Sequence, residues 1–226
     1  MTDRIDVRGI GWIDGSAYGC VGRDVRILGR GKDPLRSLWK GEEYFSYPIK
    51  NFGRFDRLSR LACGAVALAA KDAGIEYGEG RKQGLGLLGT NPEGSLRGNI
   101  AYFDDYVRCG RTLGRGNLFL YTLPSSPLAE AAVHFGFQGP VLYVGGPDGA
   151  LGDLMTAAAG MVRRGEAPAV LVLDLRATEA VCLALAPESG ESRVCGLSEA
   201  RRVVGDGMAP AQVVAGFQKA RAEAKP

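Results

Sequence analysis

The chain has 226 residues, 46% of them hydrophobic, which is enough for one substantial core. Its formal net charge of +3 comes from Lys and Arg residues scattered among nearly as many acids, a pattern that gives little support to nucleic-acid binding. The apolar runs are too short to cross a bilayer, and the N-terminus lacks a signal-peptide core. We therefore expect one domain over residues 1–226 of a soluble, cytoplasmic protein.

The first half of the chain alternates a strand, a loop, a helix and a strand. Residues 5–11 predict an opening strand, and an irregular region follows to about Gly53. Apolar residues at helical spacing predict a helix over 54–73, with Gly74 where a helix C-cap would place it. A buried strand is expected over 84–90. This strand holds a G-x-G-x-x-G match, but its glycines lie inside the strand, so we discount a nucleotide site.

The second half continues the alternation and ends in a helical tail, the C-terminal part of the domain over 210–226. The predicted elements are helices at 100–107, 127–135 and 148–164, strands at 141–144 and 169–175, a hairpin pairing 179–185 with 193–197, and a terminal helix at 210–224. Strands alternating with helices predict an α/β fold, with a mostly parallel sheet covered on both faces.

The most informative segment runs from the strand at 141–144 through a Gly/Pro turn into a helix. This geometry presents Asp148 at a helix N-terminus, where unpaired N–H groups and the macrodipole favour an anion. Nucleophile elbows expose a serine or a low-pKa cysteine at the same corner, whereas this chain has a carboxylate. Aspartate is also among the best N-caps, so Asp148 is interpreted mainly as a cap with any binding role secondary.

Few other side chains are candidates for chemistry. His134 is the only histidine, and a lone imidazole is more often packed than catalytic. Ser125 or Ser126 is a candidate nucleophile, but we favour Ser126 as an N-cap with Pro127 at the first helical position. The five cysteines are odd in number and contain no C-x-x-C pair, which indicates reduced thiols. We expect no metal and no cofactor.

A succession of motifs resembles the N-terminal half of the β-ketoacyl synthases. The motifs are Phe55-Asp56-Arg57-Leu58-Ser59-Arg60-Leu61-Ala62, Gly89-Thr90, Thr122-Leu123-Pro124-Ser125, Phe135-Gly136-Phe137-Gln138-Gly139-Pro140 and Gly165-Glu166-Ala167. The resemblance implies half of a thiolase-like fold, truncated relative to full ketosynthases. It aligns the acyl-accepting cysteine of the family with Asp148, and this chain has no histidine after His134.

Without the cysteine and the histidine pair, the chain resembles the chain-length-factor branch of that family. The resemblance implies a non-catalytic subunit that pairs with an active β-ketoacyl synthase in fatty acid, polyketide or aryl polyene biosynthesis and helps to shape the acyl cavity. It implies a heterodimer or self-association, with an acyl carrier protein as a further partner.

The resemblance also implies positions for the binding and interface residues. The substrate-binding candidates are Phe103, Ser125, His134, Gly146 and Asp148, and the interface candidates are Tyr102, Tyr106, Val141, Leu142, Tyr143 and Val144. Aromatic residues at the spacing of the 100–107 helix are equally typical of a core, so both interpretations of that helix stay open.

Two functions of other classes also remain open. One is a free-standing thioester hydrolase or decarboxylase in which Asp148, His134 and Ser125 or Ser126 converge, which requires hydrogen-bond distances between them. The other is a homodimeric module that binds an acyl chain or a carrier protein.

Overall fold

The structure is a computed structural model of the 226-residue chain. It describes residues 4–21, 25–28, 35, 38–39, 44–145, 151–188, 194–205 and 208–223. The predicted site residues Gly146 and Asp148 lie outside the described residues, as do the first residues of the predicted 148–164 helix.

A single mixed sheet of eight strands organises the described residues. The strands are β1 (Ile5–Ile13), β2 (Ala17–Cys20), β3 (Arg26–Ile27), β4 (Gly86–Thr90), β5 (Val141–Tyr143), β6 (Val170–Leu175), β7 (Ala180–Pro187) and β8 (Cys195–Gly196). Their order is β3-β2-β1-β7-β6-β4-β5, with β8 also paired to β1. Strands β6, β4 and β5 are mutually parallel, and β7 runs antiparallel between β1 and β6. The predicted α/β class with a mixed sheet is confirmed. The sheet is not mostly parallel, because five of the seven strand pairings in the described residues are antiparallel and two are parallel.

Helices cover both faces of this sheet. They are α1 (Arg57–Asp72), α2 (Leu96–Arg108), α3 (Gly116–Phe119), α4 (Ser126–Phe135), α5 (Leu151–Arg163), α6 (Leu197–Val203) and α7 (Pro210–Glu223), with 3₁₀ turns at Phe52–Arg54 and Leu120–Thr122. Side chains of α1 and α4 form one core with one face of the sheet. Side chains of α5, α6 and α7 form a second core on the opposite face. No helix in the described ranges is long and apolar enough to span a membrane.

Helix α1 is the central helix of the first core. Its N-cap is Asp56, whose side chain accepts a hydrogen bond from the Ser59 N–H at 2.8 Å. The helix stops at Gly74, which has a φ of +69°, and the Ile75 N–H donates to the Ala70 carbonyl at 2.8 Å. The predicted helix and its glycine end are therefore confirmed.

Asp56→Ala is expected to lower the free energy of unfolding by about 1 kcal/mol, because the first turn of α1 loses its side-chain acceptor. Denaturant unfolding of the two proteins measures this change. Asp56→Asn is the matched control, since its amide oxygen still accepts the Ser59 N–H and most of the stability should be kept. Equal stability of the alanine variant and the native chain would contradict this role of Asp56.

Strand β1 lies unusually close to α1. A Cβ at Gly11 would stand 2.5 Å from the Ala65 carbonyl oxygen, and one at Gly9 would stand 2.7 Å from the Ala69 carbonyl oxygen. The Ile10 N–H between them donates to the Asp72 carboxylate at 2.9 Å. Glycine at both positions therefore lets the helix backbone rest directly on the strand.

Two predictions about strands are wrong. Residues 179–185 and 193–197 do not pair as a hairpin: β7 pairs with β1 and β6, and β8 pairs with β1. The region before Gly53, predicted to be irregular, contains the antiparallel strands β2 and β3. In the first case the partner is β1, far away in the sequence, whereas β1, β2 and β3 pair with their neighbours along the chain.

Candidate functional site

The carboxyl ends of the parallel strands β4, β5 and β6 meet at one edge of the sheet. Buried polar side chains collect there. Thr90 is the last residue of β4 and Asn91 follows it. Asp174 lies near the end of β6 and accepts from the Arg176 Nε at 3.3 Å. After β5 the chain leaves the sheet at the same edge, through Val144 and Gly145, and Gly146 and Asp148 come next in the sequence. These two residues stay predictions, because they are outside the described part of the chain.

The turn after β4 connects this edge to α2. The Tyr143 hydroxyl at the end of β5 donates to the Asn91 carbonyl at 2.9 Å. The Asn91 side-chain amide donates to the Gly94 carbonyl at 2.9 Å, two residues before α2 begins. The start of α2 is therefore tied to the end of β5.

The predicted Ser126 N-cap is wrong. The N-cap of α4 is Ser125, whose side chain makes no capping hydrogen bond, and the Ser126 hydroxyl donates to the Leu120 carbonyl instead. Pro127 does lie in the first turn, as expected. The acceptor of this hydrogen bond, Leu120, belongs to the 3₁₀ turn that precedes α4.

The structure does not bring His134 and the serines together. Ser126 begins α4 and His134 lies near its end, eight residues later, a separation of about 12 Å along the helix axis. The Ser126 hydroxyl already has an acceptor in the Leu120 carbonyl. This geometry does not support a serine–histidine pair.

His134 is packed within an aromatic cluster. The Tyr47 ring lies 4.5 Å from its ring, between centroids, and the Tyr47 hydroxyl donates to the His134 carbonyl. Phe45 and Tyr77 stand near 6 Å, at centroid distances of 6.1 Å and 6.2 Å. Burial lowers the pKa of His134 to about 4, so the imidazole is neutral at neutral pH.

Because of this lowered pKa, the free energy of unfolding depends on pH in the acidic range. An unfolded histidine binds a proton below about pH 6.5, whereas folded His134 resists protonation down to a pKa of about 4. Stability contributed by the neutral imidazole is therefore complete above the unfolded pKa and falls as pH drops between these values. When the pH falls from about 7 to about 5, we expect His134 to lower the free energy of unfolding by about 2 kcal/mol.

The measurement is denaturant unfolding at both pH values, compared between the native chain and His134→Gln. The glutamine side chain does not titrate, and the carboxylates common to both proteins cancel in the difference. An identical loss of stability in both proteins would show that His134 does not carry the effect.

Helix α2 carries its apolar side chains on the outside. No residue of this helix is buried. Its exposed apolar residues follow each other at helical spacing and form a surface that we call the apolar stripe: Leu96, Ile100, Phe103 and Val107. Phe103 is 62% exposed. An amphipathic helix with its apolar face in solvent indicates a contact surface for another chain or for a ligand.

The opposite side of α2 holds the helix on the subunit. Tyr102 is half-buried and packs edge-on against Phe119, with ring centroids 5.6 Å apart. Asp105 pairs with Arg115 at 2.6 Å, and this hydrogen-bonded guanidinium lowers the pKa of the carboxyl group. Tyr106 is half-buried as well. The predicted interface residues Tyr102 and Tyr106 thus lie under the helix, and Phe103 lies on its outer surface.

Strand β5 is the second exposed feature. It ends the sheet, and Leu142 and Val144 are exposed. Leu87 donates to the Pro140 carbonyl and Val144 to the Gly89 carbonyl, so the backbone groups of Val141 and Tyr143 are directed to the open edge. Further exposed apolar residues follow α2 in sequence: Phe119, Leu120 and Leu123.

Sequence reasoning missed three members of the apolar stripe. The sequence could have identified Leu96, Ile100 and Val107. Their spacing of four, three and four residues, together with Phe103, places all four on one helix face. The spacing identifies the face but does not say whether it turns inward or outward. Only the position of α2 over Phe119 and Gly114 decides this.

No family model matches the chain, and no curated protein matches its sequence. Solved structures do match. The ishigamide ketosynthase/chain length factor is similar with a TM-score of 0.63 and 12% identity, over 82% of this chain and 59% of that chain. A β-ketoacyl synthase from Burkholderia phymatum gives 0.55 and 16%, over 83% and 60%. A ketosynthase (ApeO) in complex with its chain length factor (ApeC) from Xenorhabdus doucetiae gives 0.55 and 13%, over 84% and 81%.

The chain therefore has the thiolase-like fold of the ketosynthases. It spans 59% and 60% of the length of the first two structures, consistent with the predicted half of a larger fold.

Proposed function

We propose that this chain, with its ketosynthase fold, is a non-catalytic subunit of the chain-length-factor type. It pairs with a catalytic β-ketoacyl synthase in fatty acid, polyketide or aryl polyene biosynthesis and helps to shape the cavity for the acyl chain. The observation that carries the proposal is the exposed apolar stripe of α2, close to the open edge of β5. Complexes of ketosynthases with chain length factors among the similar structures support it.

The apolar stripe of α2 and the open edge of β5 are better suited to contact with a protein than to exposure to water. Exposed contiguous apolar side chains lose contact with water when a matching surface covers them, which is favourable in proportion to the area covered. The outward backbone groups of Val141 and Tyr143 can pair with a strand of the partner. Together they define an interface with an apolar centre and a strand at its side.

The hydrolase alternative has less support. It requires a base within hydrogen-bond reach of a nucleophile, and the serines and His134 stand at opposite ends of α4. Cys63 and Cys182 do not replace them, because both are buried and burial raises the pKa of both thiols far above neutrality. An acyl carrier protein remains a proposed further partner of the pair.

Coexpression with each ketosynthase encoded nearby tests the proposal. We expect a stable complex of one copy of each chain, and malonyl-dependent chain extension that changes when this subunit is left out. Purification of this chain as a monomer beside every such ketosynthase would refute the pairing. A symmetric complex of two copies of this chain alone would favour the homodimeric binding module.

Asp148→Cys alone is expected to restore no condensation. The family resemblance requires two histidines in addition to the cysteine, and the sequence holds only His134. An assay for elongated product with the purified variant, without a partner, checks this expectation. The same assay with an active ketosynthase is the positive control, and product from the variant alone would overturn the assignment as non-catalytic.

A further inference from the structure

A cavity of about 310 Å³ opens beside α4. Its walls come from residues between 47 and 55, ahead of α1, from residues 79–80 after α1, and from one face of α4. The lining residues of α4 are Glu130, Val133 and His134, whose spacing of three and four residues places them together on the helix surface. The volume lies at the small end of the usual range for ligand sites, which suits a molecule built on a single ring.

Aromatic and aliphatic side chains form much of the lining. They are Tyr47, Ile49, Phe55 and Val133. Tyr47 is held by α4, because its hydroxyl donates to the His134 carbonyl and its ring lies 4.5 Å from the imidazole ring, between centroids. Val133 is 80% exposed, so the cavity is open to solvent on that side. The apolar part of a ligand is favoured against such a wall, because its surface leaves water.

Glu130 is the carboxylate of the lining that has no ion pair within the described part of the chain. The other lining carboxylate, Glu79, pairs with Lys50 at 2.8 Å. Glu130 is half-buried, and its Oε1 accepts one hydrogen bond, from the Tyr121 hydroxyl at 3.5 Å. Its Oε2 makes no hydrogen bond to a described residue and keeps accessible surface. This oxygen is therefore available to a molecule in the cavity.

The neighbouring cations do not neutralise Glu130. Lys50 is the only cation among the described lining residues, and Glu79 already binds it. Arg81 and Lys82 line an adjoining cavity of about 290 Å³ and do not line this one. The Glu130 carboxylate thus has no counter-charge of its own in the cavity.

The surroundings of Glu130 also disfavour its negative charge. Burial raises the pKa of its carboxyl group, the hydrogen bond from Tyr121 lowers it, and the nearby Asp56 carboxylate raises it again. A partly desolvated carboxylate without a counter-charge is stabilised when a cation binds beside it. The aromatic rings of Tyr47 and Phe55 add surface that attracts organic cations.

We propose that this cavity binds a small organic amine, whose ammonium group pairs with the Glu130 carboxylate. The apolar body of the amine lies against Ile49, Phe55 and Val133. None of the described lining residues belongs to α2 or β5, so the site is separate from the proposed partner interface. The inference does not depend on the proposed function.

Two probes of nearly the same size and shape test the site in the full-length chain. Benzylamine carries an ammonium group at neutral pH, whereas benzyl alcohol is uncharged. NMR titration of the isotope-labelled chain measures both affinities and locates the probe from the amide signals that shift. We expect shifts at Ile49, Gly80 and Val133, and about tenfold tighter binding of benzylamine. This preference should shrink at high salt, because salt screens the charge pair.

The variant Glu130→Gln keeps the size of the side chain and removes its charge, so it should bind both probes about equally. Glu166→Gln is the matched control, because Glu166 follows α5 on the opposite face of the sheet and should leave the preference for benzylamine unchanged. A preference that survives in Glu130→Gln would overturn the proposal. Equal affinities of the native chain for the two probes, or shifts confined to other parts of the chain, would also overturn it, even if the variant does not fold.

Discussion

If the proposed pairing with a ketosynthase is correct, Phe103→Asp is expected to release this chain from that partner and to leave the subunit folded. Phe103 is 62% exposed and no residue of α2 is buried, so the substitution removes little packing inside the subunit. In the complex it removes an aromatic anchor and places an unpaired carboxylate in an apolar contact. Aromatic hot spots cost about 2 kcal/mol or more when truncated, and an unpaired buried charge adds to this. We expect the dissociation constant to rise at least about a hundredfold.

Calorimetric titration with the purified ketosynthase measures the dissociation constant, and denaturant unfolding measures the subunit alone. Ala101→Asp is the matched control: it adds the same charge to an exposed position of the same helix, away from the apolar stripe. This control should bind nearly as the native chain does. Equal weakening by both variants, or native affinity of Phe103→Asp, would remove α2 from the interface.

Gly11→Ala is expected to destabilise the fold itself. The added Cβ would lie 2.5 Å from the Ala65 carbonyl oxygen and 2.5 Å from the Leu68 Cβ, inside the van der Waals distance of both. Strand β1 cannot easily move away, because it is paired on both sides by β2 and β7. Backbone displacement in a packed core costs about 3 kcal/mol, which corresponds to about 10 °C in melting temperature for a chain of this size.

Thermal unfolding of the purified variant measures this loss. Gly15→Ala is the matched control in the adjacent turn, where a Cβ meets no atom within 4 Å and no positive φ is involved. The control should melt within about 2 °C of the native chain, as is usual for surface substitutions. A native melting temperature for Gly11→Ala would mean that β1 and α1 are farther apart than the structure shows.

Short sequence patterns predicted the elements that are determined by residues within one segment. The apolar spacing over Arg57–Asp72 and the following Gly74 identified α1 and its end. The apolar run of β6, interrupted only by Asp174, identified a strand buried on both faces, because strands between two helix layers have no polar face. In each case the residues that decide the structure lie within one segment.

Long-range pairing could not be predicted from such patterns. Strand β7 pairs with β1, more than 150 residues earlier in the chain, and this pairing replaced the local hairpin that the sequence suggested. Strand β2 was missed for a different reason: it pairs locally with β1, but it has only four residues and shows no alternation of apolar and polar residues. The close contact of Gly11 with α1 likewise depends on a packing distance, which composition does not encode.

The candidate site likewise combines features that sequence spacing can show with features that depend on tertiary packing. Spacing alone could have grouped Leu96, Ile100, Phe103 and Val107, but their outward direction depends on how α2 rests on the subunit. His134 packs against Phe45, Tyr47 and Tyr77, which come from distant segments, and no short motif joins them. The N-cap of α4 is Ser125, one residue earlier than predicted, and the Ser126 hydroxyl donates to the Leu120 carbonyl instead of capping the helix.

The open edge of β5 has a consequence for how the cell must produce this protein. The outward backbone groups of Val141 and Tyr143, which pair with no other strand in the described residues, are a template on which surplus copies can stack edge to edge. Copies made in excess of the proposed ketosynthase partner are therefore expected to be lost to aggregates or to proteases. Balanced synthesis of the two chains, rather than a higher yield of this one, should set the amount of working complex.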